Sequence, residues 1–188
     1  MWKLAVRIGY GLLGLTAVCA LGGLAWDSGA LNWAAVVFAT AAYHIFMRSL
    51  VGNACFRIMH NRANVRSFFF RVRPWEERLY QRLRIRKWKN KLPTNDPATF
   101  DPHRHRWDEI AQTTCQSEVV HESNLVLSFL PLALGRRAFG FFLTTGLLAA
   151  VAETPFIMIQ RYNRARMVRL AERQRLSVLV PWLKDCTF

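Results

Sequence analysis

The sequence predicts an all-α, polytopic membrane protein with about four transmembrane or re-entrant helices and one basic interfacial helix. Of its 188 residues 52% are hydrophobic, yet the chain carries a net charge of +14. Strongly charged soluble chains are poor in apolar residues, so the charges and the apolar residues must occupy different segments. Long uncharged runs alternate here with dense basic runs, which indicates a single membrane domain over residues 1–188 in the cell membrane.

The first two apolar runs predict a transmembrane hairpin over residues 8–47. Residues 8–26 carry no charge, and residues 28–47 contain His44 as their only ionisable group. Each run has about the 20 residues that cross the hydrocarbon core. Trp26 and Trp33 flank the link, as aromatic residues do at a membrane surface. Because the second run follows at once and no A-x-A site precedes it, a retained hairpin is favoured over a cleaved signal peptide.

A basic cytoplasmic or interfacial region is predicted next, over residues 57–109. Residues 57–106 hold fourteen basic and four acidic side chains, and residues 161–188 form a second basic segment, the tail. The positive-inside bias places both segments in the cytoplasm, so we expect both termini to be cytoplasmic. Residues 92–105, rich in Pro, Asp and Asn, indicate a loop.

Residues 75–92 predict the interfacial helix. Five apolar residues can share one stripe with Arg and Lys around it: Trp75, Leu79, Leu83, Ile85 and Trp88. A basic amphipathic helix of this kind lies in the plane of the membrane surface, on anionic headgroups.

A helical hairpin is predicted over residues 110–160. Residues 138–160 form a third clear span, whereas 124–135 reach spanning length only if the helix begins near Ile110. Arg136 and Arg137 occupy the turn, so the hairpin either spans fully, which is favoured, or re-enters the bilayer. Both arrangements give an even number of crossings. Pro131 and Pro155 are expected to kink these helices.

Glu118 and His121 are the candidate catalytic residues. Their spacing of three puts both on one face of a helix, flanked by Ser117 and Glu122. A carboxylate that fixes the tautomer of an imidazole makes it a competent general base, here for a hydroxyl that attacks a carbonyl. The alternative is a hydrogen-bonded pair that only pins the helix at the headgroups. Glu153, inside the third span, needs an Arg or His partner from a neighbouring helix.

Other chemistries are weaker alternatives. Glu-x-x-His also occurs in di-iron bundles, but no second copy exists, and His44, His60, His103 and His105 lie in loops or a separate span, so no metal is expected. The scattered cysteines, Cys19, Cys55, Cys115 and Cys186, have no metal-type spacing and are interpreted as free thiols. Cys115, three residues before Glu118, is either a nucleophile or a packing residue.

Two Arg- and Lys-rich segments, residues 84–93 and 160–175, adjoin the predicted membrane surface. They determine topology and adhere to lipid, and they can also hold a phosphorylated substrate or acyl donor, because Arg binds phosphate in a bidentate manner. Nucleic acid is not expected as a partner of a chain with four apolar segments.

Three blocks resemble the glycosyl-4,4'-diaponeurosporenoate acyltransferases of staphyloxanthin-type carotenoid synthesis. They are RKWKNKLP (86–93), QTTCQSEVVHESNLVLSFLP (112–131) and ETPFIMIQRYNRARMVRL (153–170), with Trp75 upstream of the first. The third block, with its QRYNRxR core, is the most specific. Three positions depart from the family pattern: Gln112, Glu122 and Glu153.

The resemblance implies a small integral membrane enzyme that esterifies a sugar hydroxyl of a lipid-linked glycoside with a fatty acyl chain. Its Glu and His pair falls on Glu118 and His121. Its substrate-binding motifs fall on Trp88, Lys89, Pro93, Arg161, Tyr162, Asn163, Arg164 and Arg166. No cofactor is expected besides a co-substrate acyl donor such as acyl-CoA, acyl-carrier protein or a phospholipid.

The expected partners are therefore membrane lipids with anionic headgroups and a lipid-linked hydroxyl acceptor, with the oligomeric state left open. A non-enzymatic lipid-binding or partner-binding scaffold and a membrane-embedded metal-dependent hydrolase or oxidase remain the alternative functions.

Overall fold

The structure, a computed structural model, describes residues 2–92 and 97–179. Every regular element in these ranges is helical, which confirms the predicted all-α class. Pro93 and Cys186, named above, lie outside the described residues. The α-helices are α1 (Trp2–Ala25), α2 (Gly29–Met59), α3 (Pro74–Arg82), α4 (Ile85–Trp88), α5 (Trp107–Leu127), α6 (Pro131–Leu134) and α7 (Phe139–Leu179). Short 3-10 helices cover Phe68–Phe70, Lys89–Lys91, Pro97–Phe100 and Arg136–Ala138.

Three of the described helical segments are long and apolar enough to cross a bilayer. They cover Lys3–Ala25, Gly29–Met59 and Arg136–Arg175. The first two correspond to the predicted hairpin and the third contains the predicted span 138–160. Residues 124–135, the remaining predicted segment, are divided between the end of α5 and the short helix α6. The protein is therefore a helical membrane protein with three candidate spans in its described part.

The chain divides into two compact units. The first, called the apolar unit here, contains the described residues of 1–54 and 123–150. The second, called the basic unit, contains the described residues of 55–122 and 151–188. Helices α2, α5 and α7 each contribute residues to both units.

In the apolar unit, α5 ends ahead of Pro131 instead of bending at it. Proline has no N–H and cannot continue a helical ladder, but it fits the first position of a new helix, and Pro131 begins α6. Backbone N–H groups still reach the last carbonyls of α5, and two hydroxyl groups add further hydrogen bonds to them. The Tyr43 hydroxyl donates a 2.6 Å hydrogen bond to the Leu127 carbonyl, and Ser128 Oγ donates one of 2.7 Å to the Asn124 carbonyl.

Gly146 brings α7 close to this break. A Cβ atom at residue 146 would lie 2.8 Å from the Phe129 ring and 3.2 Å from the Ser128 carbonyl oxygen. Both distances are shorter than ordinary packing allows, so a larger residue would push the two arms of the 123–150 hairpin apart.

In the basic unit, the predicted interfacial helix is two helices. Arg84 adopts a left-handed backbone, with φ 51°, between α3 and α4. The predicted stripe is therefore divided: Trp75, Leu79 and Leu83 are exposed, whereas Ile85 is fully buried. Trp88 packs with it in a core that also contains Tyr80, Ile159, Val72, Leu92, Met158 and Tyr162.

Helix α7 has 41 residues and passes through Pro155 without interruption. It continues well beyond residue 160, so the first part of the predicted tail, residues 161–179, is helical. This extension carries the QRYNRAR segment into the basic unit, where it packs against α3, α4 and α5 through the contacts described next.

Candidate active site

The His121 imidazole is bonded to the carboxylate of Glu153. Nδ1 of His121 lies 2.6 Å from Oε2 of Glu153, and the two residues come from α5 and α7 of the basic unit. Because an ionised carboxylate can only accept, it favours the tautomer of neutral His121 that has its proton on Nδ1 and its lone pair on Nε2. This is the tautomer that a general base requires. The expectation that Glu153 needs an Arg or His partner is confirmed.

The imidazole is held from a second direction by Phe156. The two rings are stacked, with centroids 4.9 Å apart and planes inclined by 10°. Glu153 is buried, whereas 23% of the His121 side chain is exposed. A buried carboxylate and a stacked ring therefore hold the imidazole, and part of it remains exposed.

Glu118 has different partners. Its two carboxylate oxygens form ion pairs with Arg161, at 2.7 Å, and with Arg164. Arg161 also donates to Glu76 and to the Phe69 carbonyl, each over 2.9 Å. Two carboxylates and two guanidinium groups therefore balance each other in a buried network.

Backbone and aromatic groups complete this network. Arg164 donates a 2.6 Å hydrogen bond to the Phe70 carbonyl, and its guanidinium lies 5.0 Å from the centre of the Phe70 ring. Glu118 is fully buried and Arg164 is 1% exposed. A buried charge needs an opposite charge nearby to offset its desolvation, and this network supplies one while it joins α5 and α7 to the 3-10 helix Phe68–Phe70.

The orienting role predicted for Glu118 therefore requires correction. Glu118 and His121 do lie close together along α5, but the carboxylate bonded to the imidazole belongs to Glu153. Arg161 and Arg164, predicted to hold substrate, are engaged by Glu118 and Glu76. Their charge is already compensated, so their observed contacts are structural.

Two neighbouring groups on α5 are shifted toward their protonated forms. Burial, together with the Glu118 carboxylate, raises the pKa of Glu122. Burial raises the pKa of the Cys115 thiol to about 11. A buried thiol with a raised pKa is a poor nucleophile near neutral pH, so Cys115 acts here as a packing residue.

The remaining predicted binding residues meet at a second place in the basic unit. Lys89 Nζ donates a 2.7 Å hydrogen bond to Asn163 Oδ1 and lies 5.5 Å from the centre of the Tyr162 ring. Burial, and then the charges of Arg166 and Arg86, lower the pKa of Lys89.

Beside Lys89 is a cleft of about 290 Å³, called the basic cleft here. It is lined by Val72, Glu77, Tyr80, Gln81, Tyr162, Ala165, Arg166 and Arg169. Trp88 does not line the cleft but packs against the adjacent core, and its indole N–H donates to the Leu83 carbonyl over 2.9 Å.

The described residues contain no group of three or more His, Cys, Asp or Glu side chains that could hold a metal ion. The three cysteines in the described ranges, Cys19, Cys55 and Cys115, are free thiols. The site therefore contains an imidazole held in one orientation, a network of ion pairs whose charges balance, and a basic cleft.

A sequence model of the glycosyl-4,4'-diaponeurosporenoate acyltransferase family matches residues 65–173, more than half of the chain. The chain belongs to this family. No curated protein and no solved structure matched it at the significance threshold. The protein is therefore a membrane acyltransferase.

The family match covers every part of the site. Glu76, Lys89, Glu118, His121 and the α7 residues from Glu153 to Arg169 all lie within residues 65–173. The apolar residues 1–64, which contain the first two candidate spans, precede the matched region. The third block and parts of the first two thus belong to the basic unit.

Sequence reasoning missed Glu76 and Phe156. Glu76 lies in a run of basic residues, and no local signal shows that it faces inward to Arg161 and is 3% exposed. Phe156 looks like an ordinary lipid-facing residue of the span. Its position three residues after Glu153 on a helix is the one available signal, because this spacing lets both residues reach the same imidazole.

Proposed function

We propose that this acyltransferase moves a fatty acyl group onto a hydroxyl of a glycolipid or other lipid-linked acceptor, with His121 as the base and Glu153 as its positioning residue. The observation that carries the proposal is the bond between the partly exposed imidazole and a buried carboxylate, in a family of acyltransferases. The family name points to a glycosylated carotenoid acid as one candidate acceptor.

The chemistry follows from the tautomer. Nε2 of His121 takes the proton from the acceptor hydroxyl as its oxygen attacks the carbonyl carbon of the acyl donor. A new C–O ester bond forms and the bond from the acyl carbon to its leaving group breaks. The imidazolium then returns the proton to the leaving group, while Glu153 stabilises the positive charge in between.

The location of the site suits an acceptor and an acyl chain that both reside in lipid. Residues 125–134 are uncharged and directly follow the polar cluster on α5. A polar cluster that adjoins an uncharged stretch of the chain fits a substrate with both a polar reacting group and an acyl tail. The basic cleft would hold an anionic donor or headgroup at the cytoplasmic face.

Mass spectrometry of membrane lipids tests this function. Lipids are extracted from cells that express the protein and from otherwise identical cells that lack it. An acylated glycolipid present only with the protein supports the proposal and identifies the acceptor. An identical lipid profile in both strains contradicts it and favours the scaffold alternative.

A further inference from the structure

The basic cleft has an excess of positive charge, unlike the buried network of ion pairs. Arg166 and Arg169 line it, and Glu77 is the one acidic side chain among its described lining residues. Lys89 lies beside it, because its Nζ is 5.5 Å from the centre of the Tyr162 ring, which also lines the cleft. Within the described part of the chain, no carboxylate is ion-paired with any of these three cations. The cleft therefore gathers positive charge that no ion pair balances.

The Lys89 ammonium is held in one position by uncharged groups. It donates a 2.7 Å hydrogen bond to Asn163 Oδ1, and the Tyr162 ring lies on another side of it. An ammonium has three N–H donors, so the bond to Asn163 leaves two for a ligand. The charges of Arg166 and Arg86, acting after burial, lower the pKa of Lys89, so these cations are close enough to repel one another. An anion bound among them would relieve this repulsion.

Phosphate is the anion that this group of cations fits. A guanidinium group binds two phosphate oxygens at once, and an ammonium adds a compact charge. The uncharged walls indicate that the phosphate belongs to an ester. The rings of Tyr80 and Tyr162 are in edge-to-face contact, with centroids 6.2 Å apart, and Val72 lines the cleft with them. These side chains suit the less polar portion of a phosphate ester.

The cleft and the imidazole lie on opposite faces of α7. The α7 residues that line the cleft, from Tyr162 to Arg169, recur at spacings of three and four residues and so share one face. The α7 residues that contact His121 are Glu153 and Phe156. Tyr162 follows Glu153 by nine residues, or about two and a half helical turns, so their side chains leave the helix in opposite directions. Helix α7 itself therefore stands between the cleft and the imidazole.

We infer that the basic cleft binds the phosphate group of a phosphate ester, at a site separate from the imidazole. Lys89, Arg166 and Arg169 bind the phosphate oxygens, and the two tyrosine rings border the rest of the ester. The inference narrows the proposed function, because it gives the cleft a ligand other than the acyl donor that reacts at His121. A soluble phosphate ester and the headgroup of an anionic phospholipid share this chemistry.

Binding measurements on the full-length protein in nanodiscs test the inference in two arms. In the soluble arm, glycerol phosphate is titrated by calorimetry onto protein in phosphatidylcholine nanodiscs. In the lipid arm, native mass spectrometry counts the phosphatidylglycerol molecules that the protein retains from mixed phosphatidylcholine and phosphatidylglycerol nanodiscs. The variants are Arg166→Ala and Arg169→Ala, both exposed side chains whose loss leaves the core intact. Arg173→Ala, an exposed arginine further along α7 and outside the cleft, is the matched control.

We expect the wild-type protein to bind the probe in at least one arm, and each cleft variant to weaken that binding at least about tenfold, because each removes a charged phosphate contact. Arg173→Ala should bind as the wild type does. Binding in the soluble arm alone identifies a soluble ester as the ligand, and binding in the lipid arm alone identifies a headgroup. If neither probe binds, or if Arg173→Ala weakens binding as much as the cleft variants do, the inference is wrong.

Chemical footprinting tests whether the site is separate from the imidazole. The probe that binds should protect Arg166 from phenylglyoxal and leave the reaction of His121 with diethyl pyrocarbonate unchanged, as peptide mass spectrometry measures. Equal protection of His121 would place the phosphate at the imidazole and overturn the separate site. Neither test requires acyl transfer, so their failure leaves the proposed acyl transfer standing. Conversely, identical lipid profiles with and without the protein would contradict acyl transfer and leave phosphate binding standing.

Discussion

At the scale of single residues, the site depends on which carboxylate meets the imidazole. Helical spacing makes Glu118 the obvious partner of His121, because residues three apart share a face. The structure instead pairs Glu118 with Arg161 and Arg164, and pairs His121 with Glu153 at 2.6 Å. Local spacing defines which residues share a face of α5, but it carries no information about which residues of α7 lie opposite that face.

Substitution of Glu153 tests its positioning role. Glu153→Leu removes the acceptor for Nδ1–H, so we expect kcat to fall by about 10²-fold or more while KM changes little. Glu153→Gln keeps an acceptor oxygen and should retain more activity than Glu153→Leu. Steady-state kinetics of acyl transfer measure kcat and KM for the wild type and both variants. A purely structural role would give equal losses in both variants, tracking the amount of folded protein.

The Glu118 network should control stability. Arg164→Met leaves the buried Glu118 carboxylate with one of its two guanidinium partners, and breaking a buried ion pair from one side costs about 3–5 kcal/mol of unfolding free energy. Arg175→Met, which removes an exposed arginine 3.7 Å from Asp108, should cost about 1 kcal/mol or less. Denaturant unfolding in detergent micelles measures the unfolding free energy of each variant. Equal losses would contradict the assignment of this network as structural.

At the scale of helices, the sequence predicts where the apolar runs lie, but it does not predict where the helices end. Uncharged stretches of about 20 residues locate α1, α2 and the first half of α7, because lipid exposure requires them. The helical extension of α7 to Leu179 is stabilised by tertiary contacts, such as the Lys89–Asn163 bond, that are not encoded in its periodicity. The division between α3 and α4 depends on one left-handed residue, Arg84, which no composition signal marks.

The outer face of α3 should lie at the membrane surface. Trp75, Leu79 and Leu83 are exposed, whereas Glu76 and Tyr80 on the adjacent face are buried. An apolar face among basic residues favours anionic headgroups. A fluorophore on Leu79→Cys, in a background without other reactive cysteines, should therefore be quenched by spin-labelled lipids, more strongly in anionic nanodiscs.

A matched label placed at Arg104→Cys in the exposed loop before α5 is the control. This site should be quenched weakly, because it lies in a polar loop. Equal quenching at the two positions would contradict an interfacial α3.

At the scale of the whole molecule, contacts within the basic unit constrain the membrane topology. Arg161 and Arg164 on α7 bond to Glu76 and Glu118, so these parts of the chain lie on the same side of the membrane. The chain leaves this unit after Glu122 and returns to it at Val151. The intervening hairpin must therefore begin and end on that side, which agrees with the expectation that it crosses the bilayer an even number of times.

Cysteine labelling from one side of sealed vesicles tests this topology. Arg104→Cys and Arg173→Cys should react from the cytoplasmic side. Ser28→Cys, in the link between α1 and α2, should react from the opposite side. Labelling of residues 104 and 173 from different sides would contradict the topology.

The proposed acyl transfer depends on His121 as the base, and a comparison of two histidine variants tests this role most directly. Acyl transfer is measured for the wild type, for His121→Ala and for His105→Ala, which removes an exposed histidine from the loop before α5. We expect folded His121→Ala to lose transfer by at least about 10²-fold per molecule, and His105→Ala to behave as the wild type does. Transfer retained in folded His121→Ala would contradict it.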